Sequence, residues 1–124
     1  KSPFTEGTEV FYRNGLYYFL WSENDTRSED YRVRYATAKL PIGPLEVPDK
    51  NLILWKRPEK GIYGTGHNAV LKVNGKDEWY IVYHRFRRPN AIKMGWAAGY
   101  HREVCMDKME FETDGKIKVI EPTL

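Results

Sequence analysis

The strongest constraint on this chain is a pattern that runs once and then starts again. Glu9-Val10-Phe11-Tyr12 leads into Arg13-Asn14-Gly15 and out through Leu16-Tyr17-Tyr18-Phe19-Leu20-Trp21. Sixty residues after Gly15, Gly75 closes a second Asn-Gly pair, set between Ala69-Val70-Leu71-Lys72-Val73 and Trp79-Tyr80-Ile81-Val82-Tyr83. Asn and Gly tolerate the positive φ of a type I′ turn, so each pair between two β-prone runs predicts a hairpin. The second turn is followed by a short insertion, Lys76-Asp77-Glu78. Third strands are predicted at 31–37, where apolar and basic residues alternate, and at 100–106. Fourth strands are predicted at 52–55 and 117–120, the first after a loop with Pro41, Gly43, Pro44 and Pro48, the second after Asp114-Gly115. The apolar period is two nearly throughout, so no helix is expected and the chain reads as all-β.

Two copies of a four-stranded antiparallel unit, here 1–60 and 61–124, are what adjacent β-propeller blades look like in sequence. A β-sandwich with the same strand count fits the periodicity equally well. Repeat physics adds that a blade buries its faces only against neighbouring blades, and closed propellers have roughly four to eight. The 124 residues therefore read as a partial propeller. They would be completed by further blades of a longer chain or by other copies of this one. Composition narrows the partners. Twenty basic and 17 acidic residues are interspersed, for a net charge of +3. Nucleic-acid binding calls for a basic stripe, and the nearest approach, Arg85-Phe86-Arg87-Arg88, reads as a solvated loop. No run of eighteen apolar residues suggests a membrane-spanning helix. Cys105, the single cysteine, excludes an internal disulfide and reads as a buried thiol. The chain starts at Lys1 rather than Met, so export cannot be judged from it.

In a propeller the first strand of each blade lines the central channel, and its leading end faces the ligand funnel. Those ends are Thr5-Glu6-Gly7-Thr8 and Gly64-Thr65-Gly66-His67-Asn68. Glu6 lies eight residues before Asn14 and His67 seven before Asn74, so a carboxylate and an imidazole are expected at equivalent channel positions. A glycine beside each lets backbone or ligand come close. Without the repeat, Glu6 reads as an ordinary surface carboxylate.

Thr5-Glu6-Gly7 followed by Phe11-Tyr12-Arg13-Asn14-Gly15-Leu16-Tyr17-Tyr18 resembles the general-acid blade of glycoside hydrolase family 43. Gly64-Thr65-Gly66-His67-Asn68 is similar to that family's Gly-x-Gly-His segment, Glu78 to His84 to its Trp-Tyr-x-x-Tyr-His strand, and Arg102-Glu103-Val104 to a motif of its last blade. Thr8 departs from the family's usual Pro, which changes backbone stiffness more than chemistry. The resemblance covers nearly the whole chain. It implies the last two blades of a five-bladed propeller in an inverting glycosidase acting on arabinose- or xylose-containing plant polysaccharides, in an extracellular or periplasmic setting. Inversion needs an acid that protonates the leaving oxygen and a base that activates water on the opposite face, roughly 6.5–9.5 Å apart. Glu6 would be the acid, while the base Asp and a tuning Asp would lie on blades outside this chain. Asp25, Asp30 and Asp107 occupy no channel-facing first strand and read as loop-solvating or turn-capping groups.

The resemblance also gives His67 a place at the axis, helping to hold a metal ion, calcium through water, or a water chain under the sugar. Calcium's preference for oxygen favours a sugar-contacting imidazole over direct coordination. Arg102 would reach the hydroxyls of a bound pentose, with an ion pair to Glu103 or Glu110 as the alternative. Trp21, Tyr63 and Trp96 are candidates for stacking on sugar rings, with buried packing as the alternative for Trp21. His84 is expected to be structural, and His101 to face away from Arg102. A second function fits the same pattern: a carbohydrate-binding propeller fragment that oligomerises through exposed blade faces and hydrolyses nothing.

Overall fold

The computed structural model describes residues 6–124, so Thr5 of the first motif lies outside the described residues. Among the described residues, seven strands form two antiparallel sheets. The first is ordered β1 (Glu6–Arg13), β2 (Leu16–Glu23), β3 (Arg32–Ala38) and β4 (Leu52–Leu54); the second is β5 (Gly66–Lys72), β6 (Trp79–Phe86) and β7 (Arg102–Met109). The β1–β2 turn follows the sequence signal closely, with Asn14 at φ 47° and Gly15 at φ 86°, both positive as type I′ demands. At the second hairpin Gly75 has φ 74°, but the insertion widens the turn, and the Val73 N–H donates to the Glu78 carbonyl at 2.9 Å.

Three details differ from the sequence reading. The second sheet has three strands, because 117–120 forms only an isolated bridge between Phe111 and Ile117 and then leaves. Ile120 donates its N–H to the Ile53 carbonyl of β4 at 2.8 Å, so the tail crosses to the first sheet. The reason is apolar burial: Ile117 and Ile120 are both buried in the cluster between the sheets. Short 3-10 turns span Pro58–Lys60 and Ala91–Tyr100, the latter broken at Gly95. Finally, Arg85-Phe86-Arg87-Arg88 is not simply a solvated loop. Arg85 is buried and pairs with Glu103 at 2.8 Å, because a cation can be buried when a carboxylate and a carbonyl, here Thr123, satisfy it.

Strand alternation places the core between the sheets. Tyr18, Leu20, Val33 and Tyr35 of the first meet Trp79, Ile81, Tyr83 and Met109 of the second. The opposite faces stay open, with Val10 and Tyr12 on β1 and Val104 and Met106 on β7 all exposed. The two first strands adjoin: Glu9 of β1 accepts the Val70 N–H of β5 at 2.9 Å. Both leading ends therefore open on the same side.

Candidate active site

Each first strand carries a bulge where the site begins. Glu6 pairs with Ser22 and Glu9 with Leu20, so three steps along β1 answer two along β2. Gly66 pairs with His84 and Ala69 with Val82 in the same way. One extra residue resets the alternation of a strand. Glu6 is thereby turned onto the inner face that Glu9 and Phe11 use, rather than away from it. The left-handed residues are Gly7, at φ 70°, and His67, at φ 52°. Structurally His67 thus matches Gly7, and Glu6 matches Gly66. The expected equivalence of Glu6 and His67 is one position out, an offset already carried by their unequal distances from Asn14 and Asn74.

The two side chains nonetheless meet. His67 Nδ1 lies 3.5 Å from Glu6 Oε2, with the side chains 54% and 45% exposed. The same oxygen accepts a 2.6 Å hydrogen bond from the Tyr31 hydroxyl, and Tyr31 is fully buried. The His67 N–H, freed from the ladder by the bulge, donates to Ser22 Oγ at 2.8 Å. A left-handed histidine costs on the order of 1 kcal/mol or more, and this bond helps to hold it. The imidazole of His67 stacks on that of His84 at 5.6 Å, and His84 faces Tyr31 at 6.4 Å.

Arg102 braces the cluster from behind. It donates to His84 Nδ1, to the Gly64 carbonyl, and to the carbonyls of Thr26 at 2.9 Å and His84 at 3.2 Å. Burial, then the Arg102 cation and His67, push His84 down to about 4, so its ring is neutral near pH 7 and can accept from Arg102. Burial also lowers Arg102 itself to about 10. Its Nε and both Nη groups each donate to protein acceptors. The alternative ion pair is not made either, since Glu103 binds Arg85 and Arg88 instead.

The aromatic candidates have partners of their own. Trp21 faces away from Ser22 on β2, in register with Arg34, which puts it on the far side of the first sheet from Glu6. Tyr63 is half-buried against the Phe86, Ala91 and Ala98 cluster. Trp96 is exposed, with the Arg27 guanidinium 4.2 Å above its ring. Asp25 pairs with Arg27, which holds its carboxyl down at about 2. Asp30 pairs with Lys56, and Asp107 accepts from Tyr83 and Thr123, each at 2.6 Å. Sequence reasoning missed Ser22 and Tyr31. The register of the first hairpin could have found Ser22, which lies opposite Glu6; nothing in the pattern marks Tyr31, which reaches in from the end of a loop.

By themselves these residues do not make a calcium site. That ion takes about 6–8 oxygens, whereas Glu6 has His67 beside it and the His84 nitrogen already accepts from Arg102. Among the described residues no three His, Cys, Asp or Glu side chains group to hold a metal.

Comparison with known proteins places this cluster in context. The family model for glycosyl hydrolases family 43 matches residues 1–117. A curated beta-D-galactofuranosidase, xynD of Aspergillus niger, is 38% identical over 98% of this chain and 33% of its own length. A xylosidase/arabinosidase of Thermoclostridium stercorarium is 30% identical over 97% of this chain and 24% of its own. Among solved structures, a thermostable family-43 glycoside hydrolase superimposes with a TM-score of 0.78 at 37% identity, covering 95% of this chain and 36% of that one. An endo-1,4-beta-xylanase from Bacteroides thetaiotaomicron gives a TM-score of 0.77 at 26% identity, over 95% and 38%. The chain spans about a quarter to a third of these curated relatives. Its two sheets are therefore blades of a partial propeller rather than a self-contained sandwich, and the chain belongs to glycosyl hydrolases family 43.

Proposed function

We propose that this chain is the acid-bearing part of an inverting glycoside hydrolase that cleaves arabinose- or xylose-containing plant polysaccharides and their oligosaccharides. One observation carries the reading: a half-exposed carboxylate, Glu6, is held by a buried hydroxyl and flanked by an imidazole where two first strands open together. Glu6 gives its proton to the glycosidic oxygen as the bond to the sugar breaks. A carboxylate on a blade outside this chain takes a proton from the attacking water on the opposite face, which inverts the anomeric centre. His67 lies 3.5 Å from the acid, in reach of a hydroxyl of the same sugar. Arg102 serves here as a brace for His84 rather than as a free fork for substrate.

The substrate class rests on similarity to proteins named xylosidase/arabinosidase and arabinoxylan arabinofuranohydrolase. Such polymers do not cross membranes, which favours an extracellular or periplasmic place of action. The test uses the full-length protein on arabinoxylan and on 4-nitrophenyl pentosides, with the anomer of the fresh product read by NMR. The inverted anomer is expected, and Glu6→Gln should lower kcat about 10²–10⁴-fold on the polysaccharide. A retained anomer, or a rate that Glu6→Gln leaves unchanged, would overturn the assignment.

A further inference from the structure

We infer that Tyr31 is a positioning residue for the acid: it fixes Glu6 Oε2 as a hydrogen-bond acceptor and so directs the acid's proton to Oε1. This rests on the reading of Glu6 as proton donor.

A backbone N–H can only donate, so the His67 amide, 2.8 Å from Ser22 Oγ, makes that oxygen an acceptor. The Ser22 hydroxyl also neighbours that of Tyr31. The Tyr31 proton goes to Glu6 Oε2, 2.6 Å away. Two directed bonds are in place, from a bulged amide on β5 to Ser22 and from Tyr31 to the carboxylate on β1. Burial, followed by its bond to Glu6, pushes the Tyr31 hydroxyl up to about 12, so it keeps its proton and has it to donate. An Oε2 that accepts from Tyr31 does not carry the carboxyl proton, which leaves Oε1 to hold it.

The surroundings keep the hydroxyl in place. Tyr31 is fully buried, the Arg102 guanidinium lies 5.6 Å from its ring centre, and His84 flanks it. The ring also lies flush against the backbone of Gly66, where any Cβ would overlap it. Glycine at 66 is thus required by the tyrosine that holds the acid.

Protonation by Glu6 matters for a sugar leaving group and little for a strongly activated phenol, which departs without a proton. In the full-length protein, Tyr31→Phe keeps the ring and removes the donor. It should lower kcat on a xylo- or arabino-oligosaccharide about 10- to 100-fold, the worth of one hydrogen bond to a charged group. KM should stay within about twofold, and the rate on a 2,4-dinitrophenyl pentoside should fall far less. Ser22→Ala should give the same signature at smaller amplitude, and it serves as the test should Tyr31→Phe fail to fold. Equal losses on both substrates, or no loss on the oligosaccharide, would overturn the inference while Glu6→Gln still shows the leaving-group dependence of an acid. A Glu6→Gln variant without that dependence would instead remove the reading of Glu6, and this inference with it.

Discussion

The leading ends of β1 and β5 use one backbone device with the side chains exchanged. On β1 a carboxylate precedes a left-handed glycine, Glu6 then Gly7; on β5 a glycine precedes a left-handed histidine, Gly66 then His67. Each glycine makes room for a group from elsewhere. The space over Gly66 is filled by Tyr31, which grips Glu6, and the space over Gly7 is filled by the His67 ring and Ser22 Oγ, each 3.6 Å from a would-be Cβ. The comparison teaches that the repeat conserves the bulge and not the chemistry. A single exchange of position lets two neighbouring strands contribute complementary halves of one site.

Substitution can break that complementarity in graded steps. Gly66→Ala should have the largest effect, because its Cβ overlaps a ring that is buried on all sides. A stability loss of about 1–3 kcal/mol is expected by chemical denaturation, together with a fall in activity on oligosaccharides like that of Tyr31→Phe. Gly7→Ala meets only ordinary contacts at 3.6 Å, so its cost is the positive φ of 70° alone. About 1–2 kcal/mol follows, and a larger loss than for Gly66→Ala would show that the two glycines have been ranked wrongly. His67→Gly should be smaller still and different in kind. It removes a left-handed side chain, so stability should hold within about 1 kcal/mol or rise while catalysis falls. Melting curves and kcat measured on one preparation would separate the two.

The mildest probe is pH. His84 titrates at about 4 in the fold against an ordinary 6.5, so the unfolded chain binds a proton that the folded one refuses. The stability it contributes is present above about pH 6.5 and is lost as pH falls through that value toward about 4. Arg102, His67 and Glu6 face this ring. Denaturant midpoints over that range should slope downward toward acid, and His84→Gln should flatten the slope.

Much of this was readable in the sequence, for definite reasons. Period-two patterning and Asn14-Gly15 fixed β1 and β2, because a one-residue slip would turn Tyr18 and Leu20 out of the core. Glu6 and His67 were legible by their spacing before the turns, though only to within one residue, since a bulge shifts phase without leaving a mark in composition. Tyr31 was not legible as a site residue: it reads as the start of β3, and only the folded loop brings its hydroxyl to a strand two positions away in the sheet. The family resemblance implied that Arg102 reaches a sugar; its role within the cluster was not legible. Its actual partners are mostly carbonyls, which sequence does not place. The course of 117–123 was hidden for a similar reason, because Ile117 and Ile120 suit an edge strand and an inter-sheet wedge equally.

That wedge has a mechanical consequence. Ile120 is tied to Ile53 in one sheet, while Thr123 is tied to Asp107 and Arg85 in the other, and Glu121 is locked by Lys60 at 2.8 Å. The last residues therefore act as a guy-rope strung across the outer rim, opposing any splaying of the two sheets. Glu6 rides on one sheet and His67 on the other, so the tail ties together the same two sheets that bring acid and imidazole to 3.5 Å.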